Sequence, residues 1–283
     1  ILEAGDFTSN IKISDFVEMY TQPSDQTTSF SLMELSKLAR KDYKVGLTGV
    51  GGDELFGGYN KHELLYHRQS IVDRPDWLKS LLSSLLTPFS QSSNQVKNLM
   101  SQFLVPKNEL YPALKNFPAI DLLRTLPGFE KWSINHFGHW KPPYFSSLMN
   151  HQLTSEMADE HLITYDHASM RHGFELRTPF LNKKLVEEVA NFDPRALMLN
   201  GRKGIIRRLA ARYVSEKVIN LPKRGFNLSS QSIANSAIPI PPGLDLISDE
   251  MAQIVWSMKN THVTWARILL RMATVEYFLA NNS

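Results

Sequence analysis

Between Lys44 and Tyr59 the chain reads KVGLTGVGGDELFGGY, with apolar Val45, Leu47 and Val50 beside Thr48, then glycines at 49, 51, 52, 57 and 58 around Asp53 and Glu54. The pattern predicts a short buried strand running into a turn nearly bare of side chains, with a helix starting at Asp53. Upstream, Ile11, Ile13, Phe16, Val17 and Tyr20 recur at helical spacing. So do Leu32, Met33, Leu35, Leu38 and Ala39, with Lys37, Arg40 and Lys41 where cations suit the end of a helix dipole. Helix, strand and glycine turn make an α/β unit.

From Asn60 onward the period is helical. Leu64, Leu65 and Tyr66 precede a breaker at Pro75, residues 77–86 form a Leu-rich amphipathic segment ending near Pro88, and three short helices follow over 95–104, 107–115 and 120–126, separated by Pro106 and Pro118. Residues 132–149, interrupted by Pro142 and Pro143, show no clear period. A helix is expected over 151–168, with Asp166, Ser169, Met170, Gly173 and Phe174 on one face, Gly173 as its stop and Glu175 to Arg177 extended beyond it. Residues 185–192 are amphipathic, Gly201-Arg202-Lys203 opens a helix through Tyr213, and the Ser- and Pro-rich stretch 227–246 reads as a loop or flap. The apolar stripe of 265–279 is core packing. The expected fold is α/β, with residues 1–59 the α/β part and 60–283 mainly helical.

Composition narrows the class. The 283 residues are 42% hydrophobic and 21% charged with a net charge of +3, an ordinary globular make-up whose weak basic excess does not argue for nucleic acid or membrane as a partner. A sequence pI near 8.9 suits an anionic ligand. No stretch is apolar for the roughly 18 residues a spanning helix needs. The absence of Cys excludes disulfides and Cys-metal sites, and the cytoplasm is the default location. His62, His67, His136 and His139 do not fall into a zinc-protease spacing, so structural histidines are favoured.

The glycine turn is the first candidate for chemistry. Residues without Cβ let a backbone approach a ligand, as phosphate-binding loops do at the carboxyl edge of a parallel sheet, and a carboxylate beside phosphate needs a divalent cation between them, which makes Asp53 a magnesium candidate. The plainer alternative is a tight turn capped by Asp53. Lys203 beside a helix N-terminus opposes the dipole, which favours its use against phosphate over a solvated basic face. Lys223, in the turn Pro222-Lys223-Arg224-Gly225-Phe226, can reach a leaving group as charge develops, or is a solvated turn lysine. Glu175 and Arg177 can equally form a bracing surface ion pair.

Four blocks in order raise these readings together. The run from Thr48 to Tyr59 resembles the ATP-binding synthetase domain of the glutamine-dependent asparagine synthetase family, with Val50 standing where the family has glutamate. Asp166 to Leu181, DHASMRHGFELRTPFL, is similar to the family's second block, with His167 in place of Arg and Asn182 in place of the closing Asp. The stretch from Asn200 to Arg207 resembles its Lys-x-Ile-Leu-Arg helix start, and Leu221 to Phe226 its Pro-Lys-x-Gly-Phe turn.

The resemblance implies part of an adenine-nucleotide alpha-hydrolase-like parallel-sheet domain that uses ATP and Mg2+ to adenylate a carboxylate, aspartate or an analogue, and amidates it with ammonia from a glutaminase domain or partner. It implies ATP contacts at Thr48, Gly49 and Lys203, magnesium at Asp53, a catalytic Lys223, and Glu175 orienting acceptor or ammonia. The family's Ser-Gly-Gly-x-Asp-Ser loop and its glutaminase cysteine do not occur in these 283 residues, so the chain is expected to be a fragment that by itself turns over weakly or not at all. Val50 keeps open a related ligase acting on a sugar acid or peptide, and a non-catalytic relative is the alternative of another class. The assembly considered is a homodimer.

Overall fold

A computed structural model describes residues 10–90, 93–221, 228–243 and 247–282. In chain order the early elements are α1 (Ile13–Tyr20), α2 (Thr28–Ala39), β1 (Val45–Leu47), α3 (Gly52–Leu55), α4 (Asn60–Val72), α5 (Asp76–Ser90) and α6 (Asn94–Phe103). There follow α7 (Leu110–Asn116), α8 (Ile120–Arg124), α9 (Phe129–Phe137), α10 (Tyr144–His151), a π-helical stretch Gln152–Leu162, α11 (Ile163–Met170) and β2 (Glu175–Arg177). The rest comprises α12 (Lys183–Ala190), α13 (Pro194–Met198), α14 (Gly204–Ala210), α15 (Glu216–Ile219), α16 (Ser230–Ala237), α17 (Asp249–Met258) and α18 (Val263–Asn282). The chain is mostly helical, with a small parallel sheet.

The elements group into two compact units, one made of Ile1–Leu47, Glu160–Arg177 and Arg224–Ser283, the other of Thr48–Asp159 and Thr178–Lys223. In the first, α18 packs against α1, α16 and α17, and α11 against α2. Phe16 and Phe30 meet edge to face at 4.8 Å, and Ile233, Val255, Leu269 and Leu270 are fully enclosed. The amphipathic stripe of α18 is therefore core, as its period requires. Asp25 accepts from Arg267 Nε at 2.9 Å and pairs with Arg271 Nε at 3.0 Å, so one buried carboxylate joins the segment before α2 to α18.

The sheet of this unit pairs β1 with β2 in parallel, Val45 opposite Glu175 and Leu47 opposite Arg177. The strand is not buried as its sequence suggests: Val45 is 39% and Leu47 75% exposed. Alternation sends both to one side, where the described residues provide no covering layer, while Gly46 lies against the Phe174 ring. Gly173, at φ +64, ends the turn after α11 as expected. The face of that helix is divided, however, with Ser169 and Phe174 buried and Asp166 and Met170 exposed.

In the second unit α4 packs on α10, α5 on α6 and α6 on α7, around Leu65, Leu110, Ile120, Phe145 and Leu148. Residues 132–149 prove largely helical, because their aromatics are core: Phe137, Trp140 and Tyr144 are buried. Helix α5 continues past Pro88 to Ser90, two residues beyond the expected stop. The 227–246 loop is corrected in part, since α16 occupies its middle. Its serines cap the helix, Ser229 accepting from Ser232 N at 3.1 Å, while Ile233 and Ala234 are buried.

Candidate active site

The turn after β1 bends through Gly51, whose φ of +90 an L side chain rarely adopts. A Cβ there would also come within 2.5 Å of Leu181 Cδ2, and one on Gly52 within 3.2 Å of the Phe180 ring. These two glycines let Phe180 and Leu181, from the second motif block, lie directly on the turn. Their bareness serves the packing of the turn as well as its backbone conformation. Thr48 is half-buried and Gly49 exposed, with open space where a Cβ would stand.

Asp53 lies in the first turn of α3 and meets Lys203 across the site, Nζ to Oδ1 2.9 Å, with both side chains partly open to solvent. Gly58 backs this pair so closely that an added Cβ would overlap Asp53 Oδ1 and Lys203 Cε. Lys203 is the residue before α14 and has a left-handed backbone, φ 55 and ψ 30. Its ammonium thus faces the positive end of a helix dipole from a conformation that costs a non-glycine residue about 1–3 kcal/mol, and the surrounding structure holds it there. The helix starts at Gly204 and ends at Ala210, shorter than its sequence pattern. Neighbouring Arg202 binds Asn60 and pairs with Glu63 at 3.2 Å.

Glu54 faces inward. It is buried and accepts a hydrogen bond from the Tyr59 hydroxyl, whose acidity falls because of burial and then the Glu54 charge. Below Tyr59 runs a polar network that has no signature in the sequence. Glu156 pairs with Lys61 at 3.2 Å and Lys115 at 3.0 Å; burial pulls its carboxyl upward, but the two ammonium groups hold it well below the ordinary value. Gln152 Nε2 donates to Glu156 at 2.6 Å, which turns the Gln152 oxygen toward His62 Nε2. His62 must then carry its proton on Nε2 and accept the Tyr59 amide at Nδ1, the neutral tautomer. Burial pushes His62 down to about 4. Gln152 lies 90 positions from His62 and Glu156 lies 95 from Lys61, so no local spacing could reveal these two links.

Of the predicted residues, Asp53 and Lys203 come together, with Thr48 and Gly49 in the same turn. Glu175 belongs to the other unit, where its carboxylate accepts from Arg177 Nε at 2.8 Å on the surface. Lys223 lies outside the described residues. The two departures in the second block have local uses: His167 Nδ1 bonds the Met19 carbonyl at 2.9 Å, and Asn182 caps α12 by accepting from Lys184 N at 3.1 Å. Among the described residues no group of three or more His, Cys, Asp or Glu could hold a metal ion, and no helix is long and apolar enough to cross a membrane. A divalent cation placed at this turn would find Asp53 as a protein ligand and would need most of its oxygens from a bound ligand or water.

The family model "Asparagine synthase" matches residues 1–239. A putative glutamine-hydrolysing asparagine synthetase of Mycobacterium tuberculosis is 25% identical over 236 residues, covering 80% of this chain and 36% of the relative. Glutamine-hydrolysing asparagine synthetase 1 of Bacillus subtilis is 25% identical over 217 residues, 73% of this chain and 34% of its own length. A second putative asparagine synthetase of Methanocaldococcus jannaschii is 34% identical over 87 residues, 31% of this chain and 16% of its own. The chain spans about a third of the length of the first two relatives. No solved structure matches it significantly.

Proposed function

The chain belongs to the asparagine synthase family, and from that premise we propose that it is part of the ATP-dependent carbon–nitrogen ligase of a longer enzyme. The single observation that carries the reading is the Asp53–Lys203 pair, backed by Gly58 and held by a left-handed lysine. A partly exposed pair of this kind contributes on the order of 1 kcal/mol, so polyphosphate can displace it. Lys203 then turns to a phosphate oxygen and Asp53 is released for a cation. Bound there, magnesium would neutralise phosphate charge.

In the proposed reaction a carboxylate oxygen of the acceptor attacks the α-phosphorus of ATP, and the bond to pyrophosphate breaks. Ammonia next attacks the acyl carbon, loses a proton and expels AMP, leaving an amide. Thr48 and Gly49 line the nucleotide side, Lys223 balances charge developing in adenylation, and Glu175 orients acceptor or ammonia. The two parallel strands are read as part of an adenine-nucleotide alpha-hydrolase-like sheet. Asparagine made from aspartate is the preferred product. Val50, apolar where the family resemblance calls for glutamate, favours as a second reading a ligase of the same mould acting on a sugar acid or peptide.

Pyrophosphate release by the intact protein, with ATP, magnesium and a panel of carboxylates, tests both readings. Removing the charge of Lys223 or Asp53 (Lys223→Ala, Asp53→Asn) should slow release by roughly 100-fold, the scale of losing one transition-state contact. Rates equal to wild type remove the assignments, and the preferred carboxylate decides the acceptor.

A further inference from the structure

Gly58 is pressed against the Asp53–Lys203 pair from behind, and its amide donates to the Asp53 carbonyl at 2.8 Å. The next residue, Tyr59, is anchored at both ends: its hydroxyl donates to Glu54, the neighbour of Asp53, and its amide donates to His62 Nδ1 at 3.4 Å. The His62 ring also meets the Tyr59 ring edge to face at 5.3 Å. The Gly58–Tyr59 peptide, and with it the wall behind the two charges, therefore goes where His62 holds it.

His62 is itself held from deeper in the same unit. It is fully enclosed, as is Gln152, and Glu156 is 7% exposed. The Glu156 carboxylate, kept ionised by Lys61 and Lys115, can only accept, so Gln152 must offer it the NH2 group and turn its oxygen to His62 Nε2, which leaves Nδ1 bare for the Tyr59 amide. One acceptor-only group thus dictates the direction of each bond up to the turn. Gln152 and Glu156 both stand on the π-helical stretch, a backbone geometry that is rare and frequently found beside functional sites.

We propose that Glu156 and Gln152 are positioning residues of the candidate site: through His62 and Tyr59 they hold Gly58 behind Asp53 and Lys203, and so keep the two charges set for a magnesium-bound polyphosphate. This role rests on the nucleotide reading of that site and adds to it residues that touch no ligand. Glu156→Gln reverses the relay. Lys61 and Lys115 claim the oxygen of the new amide, its NH2 faces Gln152, Gln152 turns its own NH2 to His62, and the imidazole proton moves to Nδ1, where it meets the Tyr59 amide donor to donor. The double exchange Gln152→Glu/Glu156→Gln keeps the charge and restores an acceptor at His62 Nε2. Tyr59→Phe leaves His62 in place and removes the hydroxyl that binds Glu54.

The experiment uses the intact protein with 15N-labelled histidine at pH 8. Ring nitrogen shifts, assigned to His62 by their loss in His62→Gln, give the tautomer; calorimetry with magnesium-ATP gives the affinity, and circular dichroism reports folding. The expected result is Nε2–H in wild type and Nδ1–H in Glu156→Gln, with magnesium-ATP bound about 10-fold more weakly, the scale for groups that orient a ligand from behind. Both return towards wild type in the double exchange, and Tyr59→Phe weakens binding with the tautomer unchanged. A merely structural role would lower stability without moving tautomer and affinity together. If Glu156→Gln keeps Nε2–H, or shifts the proton and binds magnesium-ATP as wild type does, the positioning role is overturned and the nucleotide reading stands. A wild type that binds no magnesium-ATP removes both. Should Glu156→Gln lose its helical signal, Tyr59→Phe decides, and wild-type affinity there overturns the proposal.

Discussion

Lys203 is held by opposing local terms. Its left-handed backbone and the dipole of α14 both disfavour a lysine there, and the ion pair to Asp53 offsets only part of this. Lys203→Gly should therefore alter stability by less than about 1 kcal/mol, the relieved backbone balancing the lost pair, while pyrophosphate release collapses. Urea unfolding and the release assay on one preparation check the split; a stability loss matching the activity loss would make the residue structural. His62 gives a pH signature. Its value is depressed from 6.5 to about 4 by burial, so the unfolded chain binds the extra proton between those limits and stability falls as pH drops from about 6.5 to 4. The full depression corresponds to about 3 kcal/mol, and Glu156, held low by two lysines, adds loss of the same sign below the ordinary carboxylate range. Urea titrations across that window should show this slope, flattened in a folded His62→Gln variant; an equal slope in the variant assigns it elsewhere.

At the scale of elements, caps and clamps decide where helices end and what they touch. Asn182 and Ser229 each accept an amide at a helix start, so polar residues that suggest loops from composition alone can instead begin helices. The Asp25 clamp ties the segment before α2 to α18 through two arginines. Asp25→Ala should lower stability by about 3 kcal/mol, because it strips two arginines of a carboxylate that is itself only 6% exposed. Hydrogen exchange should report the loss first in α18, and protection there equal to wild type would assign the clamp no structural weight.

Ligand linkage is a property of the whole molecule. If ATP with magnesium binds the native protein alone, a free concentration of about 100 times Kd raises the unfolding free energy by about 2.7 kcal/mol. A thermal shift of that size, reduced by Asp53→Asn only when magnesium is present, is the expected outcome; no shift at any concentration would remove the nucleotide reading. By itself the sequence determined the family, the positions of most helices and the extended step at Glu175 to Arg177. These rest on spacing, caps and contiguous motifs, which act within a few residues. Tertiary structure alone decided that Gly51 and Gly52 lie under Phe180 and Leu181, that Leu47 is open, that Glu54 points inward, and that Glu156 fixes the proton of His62. Each of these depends on which distant side chain arrives to pack, and no local period encodes that.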